Sequence, residues 1–138
     1  MPADAHAFDD LLILARQARE RAYAPYSKFL VGAAVLTRDG RRFSGCNVEN
    51  ASYGLCNCAE RTALFSAMAA GCRPGDFAAL AVVADTPHPV SPCGACRQVM
   101  AELCDEDMPV LLANLRGDTT QTNIGTLLPG SFKLSVPG

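Results

Sequence analysis

Two short strings in this 138-residue chain hold side chains suited to metal-assisted hydrolysis, Cys58-Ala59-Glu60 and Pro92-Cys93-Gly94-Ala95-Cys96. Cys93 and Cys96 are three positions apart, so at a helix start both emerge from the same side of the first turn. A cysteine binds a metal as its thiolate, and the positive end of a helix lowers a thiol pKa below its usual value of about 8.5. Cys58, arriving from a second helix, closes a cup of three thiolates. Three protein ligands leave one tetrahedral position for water, the arrangement of a catalytic rather than a structural zinc, and one Zn2+ per subunit is expected. Glu60 lies close to that metal without sharing the direction of Cys58, so its carboxylate can take a proton from the water and return it to a substrate. Zinc with three thiolates carries a net negative charge, which weakens its pull on water. Two helix N-termini and Arg61, next to Glu60, can offset this. A lone Cys-x-x-Cys would equally suit a redox pair or half of a structural zinc site. The Cys58-Ala59-Glu60 partner and the proline before Cys93 favour the catalytic reading.

Those strings need helices to present them. Residues 7–23 carry Phe8, Leu11, Leu12, Ala15, Ala18 and Ala22 at helical spacing, and Pro25 ends the run. Residues 30–37 and 43–48 flank Asp39-Gly40, a hairpin signal. A second helix is predicted from near Cys58, with Asn57 as cap, Glu60 in a capping-box position and Gly71 as stop. Residues 77–84 form an all-apolar run that suits a strand covered on both faces. A third helix is predicted from a Ser91 cap and Pro92 to about Leu103, followed by strands at 109–115 and Thr119–Thr122 and a helical turn at 124–128. This order predicts an α/β layered domain with a mixed sheet, spanning 1–138 without repeat or linker.

Composition narrows the partners. A formal charge of −2 and a pI near 5.6 argue against a grip on a nucleic-acid backbone, which needs a basic excess. Apolar runs fall short of the roughly 18 residues of a membrane span, and the acidic start Met1-Pro2-Ala3-Asp4 lacks an export pattern. A cytoplasmic location is expected. In that reducing setting Cys46, Cys56, Cys72 and Cys104 read as packing residues, with Cys56 the one to watch as a fourth ligand or oxidisable neighbour. His6 and His88 fall outside every motif and read as surface. Met100 and Leu103 read as core.

The strings Asn47-Val-Glu-Asn-Ala-Ser-Tyr-Gly54, Cys58-Ala-Glu-Arg-Thr-Ala63 and Pro92-Cys-Gly-Ala-Cys-Arg-Gln-Val99 resemble the small homotetrameric cytidine deaminases. The likeness extends from Tyr26-Ser-Lys-Phe29 to Leu127-Leu-Pro-Gly-Ser-Phe132. The paired cysteine strings match an established zinc-deaminase signature in which three cysteines are one permitted ligand set. The resemblance implies a three-layer α/β/α fold with a mixed sheet of about five strands. It implies Cys58, Cys93 and Cys96 as zinc ligands and Glu60 as proton shuttle. It further implies hydrogen bonds to the ribose from Asn47 and Glu49, and a nucleoside site lined by residues 47–53, Asn50 and Ala51 included, with Ala59 beside it. Phe29 is implied beside the pyrimidine. Tyr53 and Phe132 are implied to complete a neighbouring subunit's pocket in a homotetramer with shared active sites. Two departures stand out. Leu30 follows Phe29 where a proline is frequent, and Lys-Leu-Ser-Val-Pro-Gly follows Phe132 where relatives often continue with Gly and an acidic Asp-Leu segment.

The activity so implied is hydrolytic deamination of cytidine and deoxycytidine, with release of ammonia, in pyrimidine salvage. Three rivals make different demands. An editor of polynucleotides needs a basic strand-binding surface. A deaminase of a nucleoside antibiotic such as blasticidin would share the cysteine strings but not Asn47-x-Glu49-Asn50. A non-catalytic zinc-stabilised module should close its site with a fourth ligand and has no use for Glu60.

Overall fold

A computed structural model describes residues 8–134. The N-terminal tetrapeptide, His6 and the tail from Ser135 onward lie outside the described residues. The chain runs α1 (Asp9–Arg19), β1 (Val31–Thr37), β2 (Arg42–Cys46), a 3-10 turn at Tyr53–Leu55, α2 (Ala59–Ala69), β3 (Phe77–Ala84), α3 (Gly94–Leu103), β4 (Pro109–Ala113), β5 (Thr119–Asn123) and α4 (Ile124–Leu127). The sheet order is β2-β1-β3-β4-β5. Among the described strands only β3 and β4 pair in parallel, joined through α3; the other strand pairings are antiparallel. This is the mixed five-stranded sheet implied above.

Side-chain alternation along the central strands divides the interior into two cores. Ala33, Val35, Leu80, Val82, Val110 and Leu112 face α2 and α3, where they meet Leu64, Phe77 and Met100. Ala34, Ala79, Ala81, Val83 and Leu111 face the other way, against Leu11 and Ala15 of α1. Helices therefore cover both faces, which explains the unbroken apolar reading of β3.

Two glycines set how closely the layers approach. A side chain at Gly32 would strike the α1 backbone at Ala15 O and Arg19 N. A Cβ at Gly45 would lie 2.4 Å from Ala63 N and 2.8 Å from Ala59 O. The first turns of α2 thus rest directly on β2.

Several element ends differ from the sequence reading. The first helix stops at Arg19, short of Pro25, because Tyr23 leaves the helical path to bridge Val48. The cap of α2 is Cys58, not Asn57, whose amide instead donates to Thr62 Oγ1 at 3.0 Å. Glu60 consequently lies inside the first turn and is buried, so no capping box forms. The cap of α3 is Cys93, not Ser91. In both helices the start is shifted onto a cysteine. Strand β4 ends at Ala113, because buried Asn114 opens the turn into β5; its Oδ1 accepts the Arg116 and Asp118 N–H groups. At Gly71 (φ 108°) α2 does stop as read, with Gly71 N–H to Met68 O and Cys72 N–H to Ala67 O, both 3.1 Å, forming a Schellman closure.

Candidate metal centre and active site

The starts of α2 and α3 converge. Cys58, Cys93 and Cys96 bring their Sγ atoms within 4.8 Å of one another. Cys58 and Cys93 are 3.7 Å apart, Cys93 and Cys96 3.4 Å. The Cys93 sulfur also accepts the Cys96 N–H, so the residue that caps α3 is itself a member of the cup.

The spacing fits zinc: Zn–S bonds of about 2.3 Å at tetrahedral angles set sulfurs about 3.8 Å apart. The electrostatics also fit a dication. The Cys58 thiol is drawn down to about 5, first by hydrogen bonding from Cys96 and then by the Arg61 guanidinium. The Cys96 thiol is pushed up by that same pairing and by its burial. Three ionised sulfurs at this separation repel one another strongly, and a divalent cation at their centre removes that conflict. Among the described residues no fourth His, Cys, Asp or Glu joins the cluster. Cys56 points elsewhere: its sulfur accepts the Asn50 N–H at 3.2 Å.

Glu60 is 5% exposed. Burial pushes its carboxyl above the usual range and the charge of Cys58 adds to this, while Cys96 and Arg61 offset part of it. A carboxyl whose burial eases protonation is suited to taking up and returning a proton. Arg61 Nη2 donates to Cys58 Sγ at 3.2 Å.

Residues 47–49 run between Tyr23 and Asn57, hydrogen-bonded to both, which lays them beside the residues leading to Cys58. Here the structure uses side chains in ways the sequence did not show. Asn47 Oδ1 accepts the Val31 N–H, and its Nδ2 donates to the Phe29 carbonyl, each at 2.8 Å. Glu49 Oε1 accepts from the Tyr26 and Ser27 N–H groups at 3.0 and 3.1 Å, and its other oxygen accepts the Ser27 hydroxyl at 2.5 Å. Those bonds, the hydroxyl's above all, hold the Glu49 carboxyl below the usual range. Ser27 Oγ in turn accepts the Phe29 N–H, and Lys28 between them takes a left-handed φ of 63°. Sequence reading passed over Ser27; its place in the Tyr26-Ser-Lys-Phe29 string was the available signal.

A cleft of about 240 Å³ opens beside Glu49, lined by Tyr26, Ser27, Glu49, Tyr53 and Cys56. Tyr53 meets Tyr26 edge-on, yet is 78% exposed. Phe132 is 68% exposed and Phe29 39%. Asn50 and Ala51 are also exposed, whereas Ala59 is fully buried. Asn50 Oδ1 accepts the Ser52 N–H, shaping the loop before Tyr53. The structure thus gathers the three sulfurs, Glu60 and Arg61 into one centre, sets Asn47 and Glu49 on the adjoining loop, and leaves Tyr53 and Phe132 facing outward. His88 is exposed and apart from the cluster.

Comparison with known proteins agrees with this arrangement. Residues 8–112 match the cytidine and deoxycytidylate deaminase zinc-binding region. A cytidine deaminase of Sporosarcina psychrophila is 58% identical over 124 residues, covering 90% of each chain. One from Halalkalibacterium halodurans is 63% identical over 116 residues, covering 84% of this chain and 86% of the relative. The crystal structure of cytidine deaminase from Burkholderia pseudomallei superposes with a TM-score of 0.88 at 64% identity, covering 90% of this chain and 98% of that one. With a shared fold, a matching zinc-binding region and a three-sulfur centre at two helix starts, the chain belongs to the cytidine and deoxycytidylate deaminase family.

Proposed function

We propose that this protein is a zinc-dependent deaminase converting cytidine and deoxycytidine, with water, to uridine or deoxyuridine and ammonia, residues 1–138 acting as one domain in the cytoplasm. The observation that carries the reading is a buried Glu60 carboxyl beside a cup of three sulfurs with no fourth ligand among the described residues. The names of the relatives support the substrate class. Seven unpaired cysteines suit a reducing compartment, and no described helix is long and apolar enough to cross a membrane.

Bound by Cys58, Cys93 and Cys96, zinc supplies Lewis acidity that makes a water nucleophilic at neutral pH. Glu60 takes the proton of the water that attacks C4 and passes it to ring N3. It then carries a second proton to the departing amine, so that water and cytidine become uridine and ammonia. Asn47 and Glu49 hold the ribose. Each keeps spare capacity: Asn47 has a second amide hydrogen, and the Glu49 carboxylate offers more lone pairs than its three donors use. Phe29 lies along the base, with Asn50, Ala51 and Ala59 lining the pocket.

The assembly we propose is a homotetramer in which Tyr53 and Phe132 complete a neighbour's pocket. Their exposure supports this, since a lone chain leaves both rings uncovered, Tyr53 at the cleft beside Glu49. Ammonia release from cytidine, deoxycytidine, adenosine and a cytosine-containing oligonucleotide, with and without chelator, tests the reading. Chelator-sensitive release from the first two supports it; release from the oligonucleotide alone, or from none, overturns it.

A further inference from the structure

Arg97 follows the second cysteine of the Pro92–Cys96 string, and its guanidinium joins two parts of the chain far apart in sequence. Its Nε donates to the Pro92 carbonyl at 2.8 Å, the peptide that leads directly into Cys93. Its Nη1 donates to the carbonyl of Leu127, also at 2.8 Å. Leu127 is the last residue of α4, whose final carbonyls lack helical partners, so the cation also serves as a C-terminal cap. Beyond it the chain turns through Gly130 (φ 69°) and reaches Phe132.

The Pro92 end of this link is the less supported one. Pro87, Pro89 and Pro92 lack N–H groups, so the loop between β3 and α3 can hold itself together only weakly. One internal bond runs from the Thr86 hydroxyl to the His88 carbonyl, while two further carbonyls are bound from outside, Pro87 by the Asn114 amide at 3.2 Å and Pro92 by Arg97. Cys93 is the most exposed of the three sulfur residues and depends most on such support.

We propose that Arg97 is a positioning residue that sets the Cys93 arm of the metal cup against the segment carrying Phe132. The planar fork of arginine reaches both carbonyls at once, and a lysine ammonium, a single point of donation, cannot. The role of Phe132 rests on the functional reading above; the metal role rests on the geometry alone.

The test uses the zinc-loaded protein and two variants, Arg97→Gln and Arg97→Lys. Zinc release into excess chelator, followed with a chromogenic zinc indicator and no substrate, is expected to be about 10–100-fold faster in both, the usual cost of losing a group that orients a ligand. Should Arg97→Gln fail to fold, Arg97→Lys, which keeps the charge, carries the measurement. Release within twofold of the parent overturns the proposal. In the second arm, KM for cytidine is measured with and without Phe132→Ala. Because residues acting through one another are not additive, Arg97→Lys is expected to raise KM in the parent and leave it nearly unchanged in the Phe132→Ala background. KM effects that multiply overturn the link to Phe132. If the parent releases no ammonia from cytidine, the functional reading falls, and the zinc-release rates still decide on Arg97.

Discussion

The Asn47 side chain and the backbone of Phe29 are joined by a 2.8 Å hydrogen bond, and the same amide accepts the Val31 N–H. One polar side chain thus straddles Leu30 and fixes the entry to β1, which begins two residues after Phe29. The family resemblance implies a ribose contact at Asn47. In the folded chain it is first a loop clamp, and any ribose contact uses the capacity that remains.

Replacement of Asn47 by Ala removes both bonds. At the usual net worth of each, stability should fall by about 1–3 kcal/mol. Asn47→Asp should be instructive, because it sets an oxygen against the Phe29 carbonyl in the same volume. Urea midpoints and KM for cytidine check this: both variants should unfold earlier and show a raised KM. An unchanged midpoint would show that the clamp contributes nothing.

Arg61 donates to Cys58 at 3.2 Å, and its own pKa is raised by that sulfur first. Since it neutralises charge on the cup without being a ligand, Arg61→Gln should lower kcat at least tenfold, about 1.4 kcal/mol in barrier, while zinc per subunit stays near that of the parent. Metal analysis alongside kinetics separates the two roles. Zinc loss equal to that of Cys58→Ala would contradict the division.

Glu60→Gln keeps the shape of the buried side chain and removes its ability to carry protons. Turnover should drop by about 10²–10⁴-fold, with fold and metal content retained. Circular dichroism, metal analysis and ammonia release together test this. Near-normal turnover would exclude Glu60 as the shuttle.

Gly45 gives a prediction about architecture. With a Cβ only 2.4 Å from a backbone nitrogen of α2, Gly45→Ala must push the helix that carries Cys58 and Glu60 away from β2. Overpacking of this kind costs about 1–3 kcal/mol or more. The thermal midpoint should fall and zinc should leave faster. Gly40→Ala is the comparison: its position in the hairpin is open but has φ 91°, so it should cost stability and leave the metal centre alone.

Local pattern carried much of this. The cysteine strings, the Asp39-Gly40 hairpin, the apolar run of β3 and the stop at Gly71 each depend on residues a few positions apart, and each reappears in the structure. The helix caps did not follow the local rules. Asn57 and Ser91 are better intrinsic caps than cysteine, but convergence of α2 and α3 moves both starts onto Cys58 and Cys93.

By itself, the sequence determined the chemistry: three sulfurs, a carboxylate and the helices to present them, because ligand type and short spacing are local properties. Arg61, whose target Cys58 is one turn away, was legible for the same reason. Only the tertiary structure decided what Asn47, Glu49 and Arg97 do, for their partners lie up to 30 positions off along the chain. Which carbonyl or N–H such a side chain meets is set by how sheet and helices pack, and no spacing within the sequence records that.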